Sequence, residues 1–206
     1  YGEIAKKAIQ SKHDSELYKI IKKMSDMKEN PEVSEVELKK IEVELEKKSS
    51  ESHWTSEANE LARMNWWTIE YGLIGDLNNP KIYGAGLLSS VSESLDCLDK
   101  KVKKIPISIE CIHQGYNITE PQPQLYVANN FKDLIKILDD YSKTMGFKIG
   151  GKDGVKKAIQ SENVTTALYD SGLQISGIIK NYISDNNGEI TYLNYDKNVQ
   201  LSYGDN

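Results

Sequence analysis

The chain has 206 residues, 38% of them hydrophobic and 28% charged, a balance typical of a folded protein rather than a disordered one. Its net charge of −5 disfavours nucleic acid as a main partner, because neutralising phosphates requires a basic face. No apolar run approaches the roughly 20 residues of a membrane span, and no signal peptide is recognisable. The two cysteines, Cys97 and Cys111, predict no disulfide framework, so we expect a cytoplasmic protein without a membrane partner.

The first third of the chain has helical patterns. Apolar residues recur at helical spacing in the first predicted helix: Leu17, Ile20, Ile21 and Met24. Asp14 or Ser15 is expected to cap this helix, and Asn30-Pro31 to end it. Ser34 with Glu37 then forms a predicted capping box for a charged surface helix at about 34–48.

A third predicted helix begins at Thr55 or Ser56, ends at Gly72 and contains the run NWWTIEYGL, residues 65–73. The middle of the chain then alternates between patterns. We predict an extended piece and a glycine-containing turn over 81–90, a helix carrying Val91, Leu95 and Leu98, strands at 105–110 and 123–128, and a helix at 131–141.

The composition changes near residue 145. GFKIGGKDG has the composition of a glycine-rich connector, and the segments after it have strand patterns. In YISDNNGEITYL, Asn187-Gly188 can supply the positive φ values of a tight hairpin turn. We therefore predict an α+β protein with a mostly helical domain at 1–145 and a small β-rich unit at 150–206. Since the chain begins at Tyr1 within a helical pattern and stops abruptly, we expect a fragment of a longer polypeptide.

Glu70 is a single carboxylate within an apolar run. On an α-helix it would share a face with Trp66 and Trp67, and with Arg63 one turn further on. A helix that is apolar nearly all round is expected to be buried, and a buried carboxylate needs compensation. The candidates are a salt bridge with Arg63, a partner from elsewhere in the fold, and a metal or a substrate cation.

Three runs, in this order, resemble the pterin-dependent aromatic amino acid hydroxylases: WWTIEYGL, PKIYGAGLLSS and YNITEPQPQLYVANNF. The similarity covers roughly residues 56–140, with a fainter match in YGEIAKKA, which resembles the helix after the family's histidine motif. In particular, the chain resembles the longer bacterial phenylalanine hydroxylases, which carry extra β-rich sequence after the catalytic domain. Asn65 and Tyr71 differ from the commonest residues of the family at their positions.

The resemblance implies a ferrous iron, Fe(II), held by two histidines and one glutamate, together with a tetrahydropterin. The glutamate falls on Glu70. The family's His-Glu-x-x-Gly-His motif is absent, and His13, His53 and His113 lack its spacing. The resemblance assigns no pterin-binding residue within this chain. We therefore predict that the chain alone neither binds iron tightly nor turns over.

The resemblance also implies part of an aromatic amino acid pocket. Trp66 falls beside the substrate ring, Gly86 and Ser90 near the amino acid, Ser89 beside an iron-bound histidine, and Ile118 in the pocket lining. An apolar Ile118 suits phenylalanine better than tyrosine, since a buried hydroxyl would lack a partner. The alternative for Trp66 is a plain core aromatic, and the alternative for Ser89 or Ser90 is an N-cap of the next helix.

The implied function is a monooxygenase that uses dioxygen to hydroxylate an aromatic amino acid, most simply phenylalanine to tyrosine. The alternative is a non-catalytic binding or regulatory relative that keeps an aromatic pocket without a metal. Neither the role of the β-rich unit nor the oligomeric state follows from the sequence, and a homo-oligomer is one of the open alternatives.

Overall fold

The computed structural model describes residues 1–51, 54–116 and 120–204, and its mixture of helices and small sheets confirms the α+β class. The helices are α1 (Gly2–Ala5), α2 (Lys12–Glu29), α3 (Glu35–Ser50), α4 (Glu57–Asn65), α5 (Ala85–Ser89), α6 (Val91–Asp96), α7 (Phe131–Ser142), α8 (Gly146–Ile149) and α9 (Gly151–Ser161). The strands are β1 (Leu73–Asp76), β2 (Asn79–Ile82), β3 (Lys103–Pro106), β4 (Gln124–Ala128), β5 (Thr165–Leu168), β6 (Leu173–Ser184) and β7 (Ile190–Tyr203). Among the described residues, none of the helices is both long enough and apolar enough to cross a membrane.

The chain forms two compact units, each discontinuous in sequence. Unit 1 comprises residues 1–8 and 57–149, and unit 2 comprises residues 9–56 and 150–206. The structure differs from the predicted division for residues 9–56, which group with the C-terminal segment and not with the remainder of 1–145. Periodicity identifies a helix, but it carries no information about which distant segment the helix packs against.

The centre of unit 1 is a four-stranded sheet with the order β2–β1–β4–β3. β1 and β2 form an antiparallel hairpin, from Leu73 opposite Ile82 to Asp76 opposite Asn79. β4 is parallel to both β1 and β3. The largest fully buried side chains of this unit's core are Met64, Trp67, Leu73, Leu87, Leu125, Tyr141 and Met145. Because β1 begins just after Glu70, the sheet fixes the position of the turn that carries this residue.

Two predictions for unit 1 were wrong in part. The strand predicted at 105–110 ends at Pro106, and a 3₁₀ turn follows at Ile109–His113. Cys111 and Ile112 are buried in this turn, so the alternation of apolar residues came from a turn packed on the core. The glycine-containing turn predicted before residue 90 is the short helix α5. The predicted strand 123–128 and helix 131–141 are confirmed as β4 and α7.

In unit 2, α2 begins with a capping box different from the predicted cap. The Asp14 backbone N–H donates to Ser11 Oγ at 3.0 Å, and the Ser11 N–H donates to Asp14 Oδ2 at 2.9 Å. Ser11 is thus the N-cap, and Asp14 is the third helical residue. The predicted capping box of Ser34 and Glu37 at the start of α3 is confirmed.

The glycine-rich segment after residue 149 is helical, which the sequence prediction missed. Gly150, the N-cap of α9, and Gly151, its first residue, adopt positive φ values of 54° and 50°, and Ala158 of this helix is buried. The Asn163 side-chain amide donates to the Gln10 carbonyl at 3.2 Å and to Ser15 Oγ at 3.1 Å. This residue therefore ties the segment after α9 to the start of α2.

A three-stranded antiparallel sheet with the order β5–β6–β7 completes unit 2. The predicted hairpin is confirmed, because β6 and β7 pair on either side of the turn at 185–189. Gly188 has a φ of 86° and its N–H donates to the Asp185 carbonyl at 3.1 Å. Asn187, contrary to the prediction, keeps a negative φ. One left-handed residue suffices here because the connection is longer than a two-residue turn.

Candidate functional site

Glu70 lies on a π-helical turn and not on a regular α-helix. α4 ends at Asn65, and the turn Trp66–Glu70 closes with the Tyr71 N–H donating to the Trp66 carbonyl at 2.8 Å. This is an i→i+5 bond, so the turn holds one more residue than an α-helical turn and rotates the residues that follow. The face assignments made on an α-helix therefore do not apply beyond Trp66.

The rotation leaves the Glu70 side chain half-buried, and Ile69 is 44% exposed. The expectation of a helix buried all round was wrong, because burial is confined to the side of Leu61, Met64 and Trp67. Partial exposure lowers the desolvation cost of the Glu70 carboxylate below that of a fully buried one.

The candidate salt bridge between Arg63 and Glu70 is not formed. Arg63 Nη1 donates to the Ile112 carbonyl at 3.2 Å, which directs its guanidinium to the 3₁₀ turn. Within the part of the chain that the structure describes, the Glu70 carboxylate has neither a hydrogen bond nor an ion pair. A salt bridge with Arg63 therefore does not compensate for the partial burial of the Glu70 carboxylate.

Trp66 belongs to an aromatic cluster. Its ring stacks on Tyr71, with centroids 4.5 Å apart, and on Tyr116, with centroids 4.2 Å apart and planes 8° from parallel. The Trp66 Nε1–H is buried and has no acceptor among the described residues. Trp67 lies deeper, 5.4 Å from the ring of Tyr126. Stacking on two tyrosines gives Trp66 a packing role within the chain itself.

Glycines allow the loop before α5 to approach the Glu70 turn. A Cβ atom added to Gly84 would lie 2.5 Å from the Glu70 carbonyl oxygen and 2.6 Å from the Gly72 nitrogen. A Cβ atom added to Gly86 would lie 3.0 Å from the Tyr71 ring and 3.1 Å from the same carbonyl oxygen. The structure shows this close approach toward the chain's own backbone, which joins the loop to the turn.

Ser89 and Ser90 lie at the junction of α5 and α6. The exposed Ser89 Oγ donates to the Gly86 carbonyl at 2.9 Å. Ser90 Oγ accepts the Glu93 N–H at 3.3 Å and is the N-cap of α6. The N-cap alternative is therefore confirmed for Ser90. Ile118, the remaining predicted pocket residue, lies outside the described residues.

Tyr71 and Glu93 form a contact that sequence reasoning missed. The Tyr71 hydroxyl lies 3.3 and 3.2 Å from the two carboxylate oxygens of Glu93. Both residues line a small cavity of about 20 Å³. Burial raises the pKa of Tyr71, and the negative charge of Glu93 raises it further. The only sequence signal for this contact was that Tyr71 differs from the commonest residue of the family at its position.

The described residues do not complete an iron site. They contain no group of three or more His, Cys, Asp and Glu side chains placed to hold a metal ion. The His113 side chain is 63% exposed and lies 3.9 Å from Glu110. Burial raises the pKa of the Cys111 thiol to about 12, which disfavours the thiolate that binds metals. His53 is outside the described residues, and Glu70 is a single carboxylate.

Curated relatives match the region that contains these residues. Phenylalanine-4-hydroxylase from Homo sapiens is 41% identical over 86 residues, which are 41% of this chain and 19% of that protein. Phenylalanine-4-hydroxylase from Chromobacterium violaceum is 40% identical over 76 residues, which are 36% of this chain and 26% of that protein. The chain therefore spans only about a fifth to a quarter of the length of these relatives.

Solved structures of the same bacterial enzyme also align with the chain. A crystal structure of Chromobacterium violaceum phenylalanine hydroxylase with iron and phenylalanine bound is 33% identical, with 41% of this chain and 34% of that chain covered and a TM-score of 0.38. The family model for biopterin-dependent aromatic amino acid hydroxylases matches residues 17–161. Since this match includes most of the chain and all the motifs around Glu70, the chain belongs to the biopterin-dependent aromatic amino acid hydroxylases.

Proposed function

We propose that this chain is part of an iron- and tetrahydropterin-dependent monooxygenase that hydroxylates the ring of phenylalanine to give tyrosine. Family membership and relatives named phenylalanine-4-hydroxylase support this assignment. The chain contributes one iron ligand and part of the amino acid pocket. When bound, the iron and the pterin would supply the activation of dioxygen, and the protein would bind and orient the amino acid.

The observation that carries the proposal is the state of the Glu70 carboxylate. It is half-buried, it has no hydrogen bond or ion pair among the described residues, and Arg63 is engaged elsewhere. The backbone beneath it is fixed by the π-helical turn and by the close approach of Gly84. A positioned carboxylate without a protein partner has the properties of a ligand for a divalent cation such as Fe(II).

The pocket residues would act on the amino acid and not on oxygen. The Trp66 cluster offers an aromatic surface for the substrate ring, and Ile118 adds an apolar contact. Gly86, Ser89 and Ser90 would place backbone and hydroxyl groups near the charged end of the amino acid. Each of these roles follows from the family motif at the same position and is part of the proposal.

The experiment is to determine the coding sequence upstream of Tyr1 and to express the polypeptide that it encodes. We expect a His-Glu-x-x-Gly-His motif upstream, iron in the purified protein and phenylalanine-dependent tyrosine formation. Glu70→Gln should lower the iron content and the hydroxylation rate together. The matched control is Glu110→Gln, a change of an exposed carboxylate that should leave both unchanged. An upstream region without paired histidines would contradict the proposal.

The 206-residue chain gives a second test. Calorimetric titration should show no low-micromolar affinity for ferrous iron, since one carboxylate does not hold this ion tightly. The alternative, a non-catalytic binding module, predicts phenylalanine binding that does not change with iron in the complete polypeptide. It also predicts that Glu70→Gln leaves stability unchanged or improves it, because no metal would then offset the charge.

A further inference from the structure

The hydroxyl of Tyr71 joins two segments that carry the proposed site. Tyr71 directly follows Glu70, and its N–H closes the π-helical turn by donating to the Trp66 carbonyl at 2.8 Å. Its hydroxyl reaches the Glu93 carboxylate on α6, at 3.3 and 3.2 Å from the two oxygens. A phenylalanine at this position would fill the same space but could not make this bond.

Each partner in this contact is held by further interactions. The Tyr71 ring stacks on Trp66 with centroids 4.5 Å apart, and the backbone of Gly86 packs against its edge. The Glu93 N–H donates to Ser90 Oγ at 3.3 Å, so the backbone of Glu93 is fixed by the N-cap of α6. The contact therefore connects the Trp66 ring with the end of the glycine loop.

We infer that Tyr71 and Glu93 are a positioning pair that sets the orientation of Trp66, and with it the affinity of the pocket for an aromatic amino acid. The effect on affinity rests on the function proposed above, whereas the effect on Trp66 does not. The hydrogen bond from the Tyr71 hydroxyl to the Glu93 carboxylate fixes the direction of the Tyr71 side chain, on which Trp66 stacks. The charge of the acceptor matters because hydrogen bonds to ionised groups are stronger than those between neutral groups. Neither residue needs to touch the amino acid.

The test uses the indole N–H signals of the 206-residue chain in two-dimensional NMR, with the Trp66 signal assigned from Trp66→Phe. We expect Tyr71→Phe and Glu93→Ala each to shift the Trp66 signal and to speed its hydrogen exchange by about threefold to tenfold. The double variant should change it no further, because either change removes the same bond. Glu93→Gln keeps an oxygen acceptor and should restore part of the protection.

The matched control is Asp96→Asn, which removes a charge from the wall of the same cavity but has no bond to Tyr71. We expect its Trp66 signal to coincide with that of the unaltered chain. The inference would be overturned if Tyr71→Phe leaves the Trp66 signal unmoved, or if the effects of Tyr71→Phe and Glu93→Ala add. The dispersion of the remaining signals reports whether each variant is folded.

A binding measurement separates this inference from the proposed function. In the complete polypeptide, phenylalanine affinity should fall about threefold to tenfold in Tyr71→Phe, with kcat changed less than KM. If the unaltered polypeptide does not bind phenylalanine, the proposed function fails while the NMR result still decides the role of the pair. If phenylalanine binds equally well in both proteins although the Trp66 signal moves, the effect on affinity is refuted.

Discussion

The β6–β7 hairpin and the Glu70 turn are stabilised by contacts of very different range. In the hairpin turn, the Asp185 N–H donates to the Glu189 carbonyl at 2.9 Å, and the Gly188 N–H donates to the Asp185 carbonyl. The Glu70 turn is instead held by Gly84 beneath its backbone and by Tyr116 against Trp66. The hairpin can take its shape from its own residues, whereas the turn keeps its shape only while the rest of unit 1 is folded.

Gly84→Ala should break the Glu70 turn and give the largest effect. The added Cβ would lie 2.5 Å from the Glu70 carbonyl oxygen, so one of two backbone segments must move. We expect a loss of about 3 kcal/mol in the free energy of unfolding, measured by urea denaturation with tryptophan fluorescence. Gly115→Ala is the control, because its Cβ would meet nothing within 4 Å. A loss below about 1 kcal/mol for Gly84→Ala would contradict the close packing.

Alkaline pH should destabilise unit 1 through Cys111. Burial raises the pKa of this thiol to about 12 in the folded state, while the unfolded thiol titrates near its ordinary value. The contribution of the neutral, buried thiol to the free energy of unfolding is therefore complete below about pH 8.5. It is lost as the pH rises toward 12, by at most about 1.4 kcal/mol per pH unit. Urea denaturation between pH 7 and 10 should show a flatter profile in both Cys111→Ala and Cys111→Ser. A profile unchanged by either substitution would exclude this thiol as the cause.

Gly188→Ala should affect the hairpin and spare the Glu70 turn. Its φ of 86° lies in the left-handed region, which costs an L-residue with a Cβ about 1 kcal/mol. Amide exchange in β6 and β7 should accelerate correspondingly, while the fluorescence of the tryptophans in unit 1 stays constant. Gly188→Asn is the matched variant and should lose less, since asparagine tolerates this conformation. Equal losses in the two variants would argue against backbone strain as the origin.

Ser90→Ala and Ser89→Ala form a matched pair with the smallest expected effects. Ser90 caps α6, and its removal should cost about 0.7 kcal/mol. Ser89 bonds the Gly86 carbonyl at an exposed position, so its removal should cost no more than about 0.3 kcal/mol. Urea denaturation of both variants gives the comparison. A larger loss for Ser89→Ala would mean that the loop, and not the cap, holds this junction.

Elements defined by neighbouring residues could be predicted from the sequence. The capping box of Ser34 and Glu37, the strand β4 and the hairpin around Gly188 each depend on residues a few positions apart. The helix α9 was missed because Gly150 and Gly151, at its start, have the composition of a connector.

For the candidate site, the sequence could nominate residues but not their geometry. Motif similarity selected Glu70 and Trp66 as candidates, yet the π-helical turn gives no periodic signal of its own. The Tyr71–Glu93 contact and the stack with Tyr116 join residues that are adjacent only in the folded chain. No local pattern can supply such pairs, because they are selected by packing of the whole unit.

The discontinuous division of the chain has a consequence for the order of events during synthesis. All of unit 1 has been translated once Ile149 is added, so this unit can fold while the ribosome is still producing the next segment. α2 and α3 are translated earlier but belong to unit 2. The hydrogen bonds from Asn163 to the start of α2 can form only after Asn163 has been translated. These two helices are therefore translated well before the segments that complete unit 2, and their apolar stripes are exposed to chaperones in the interval.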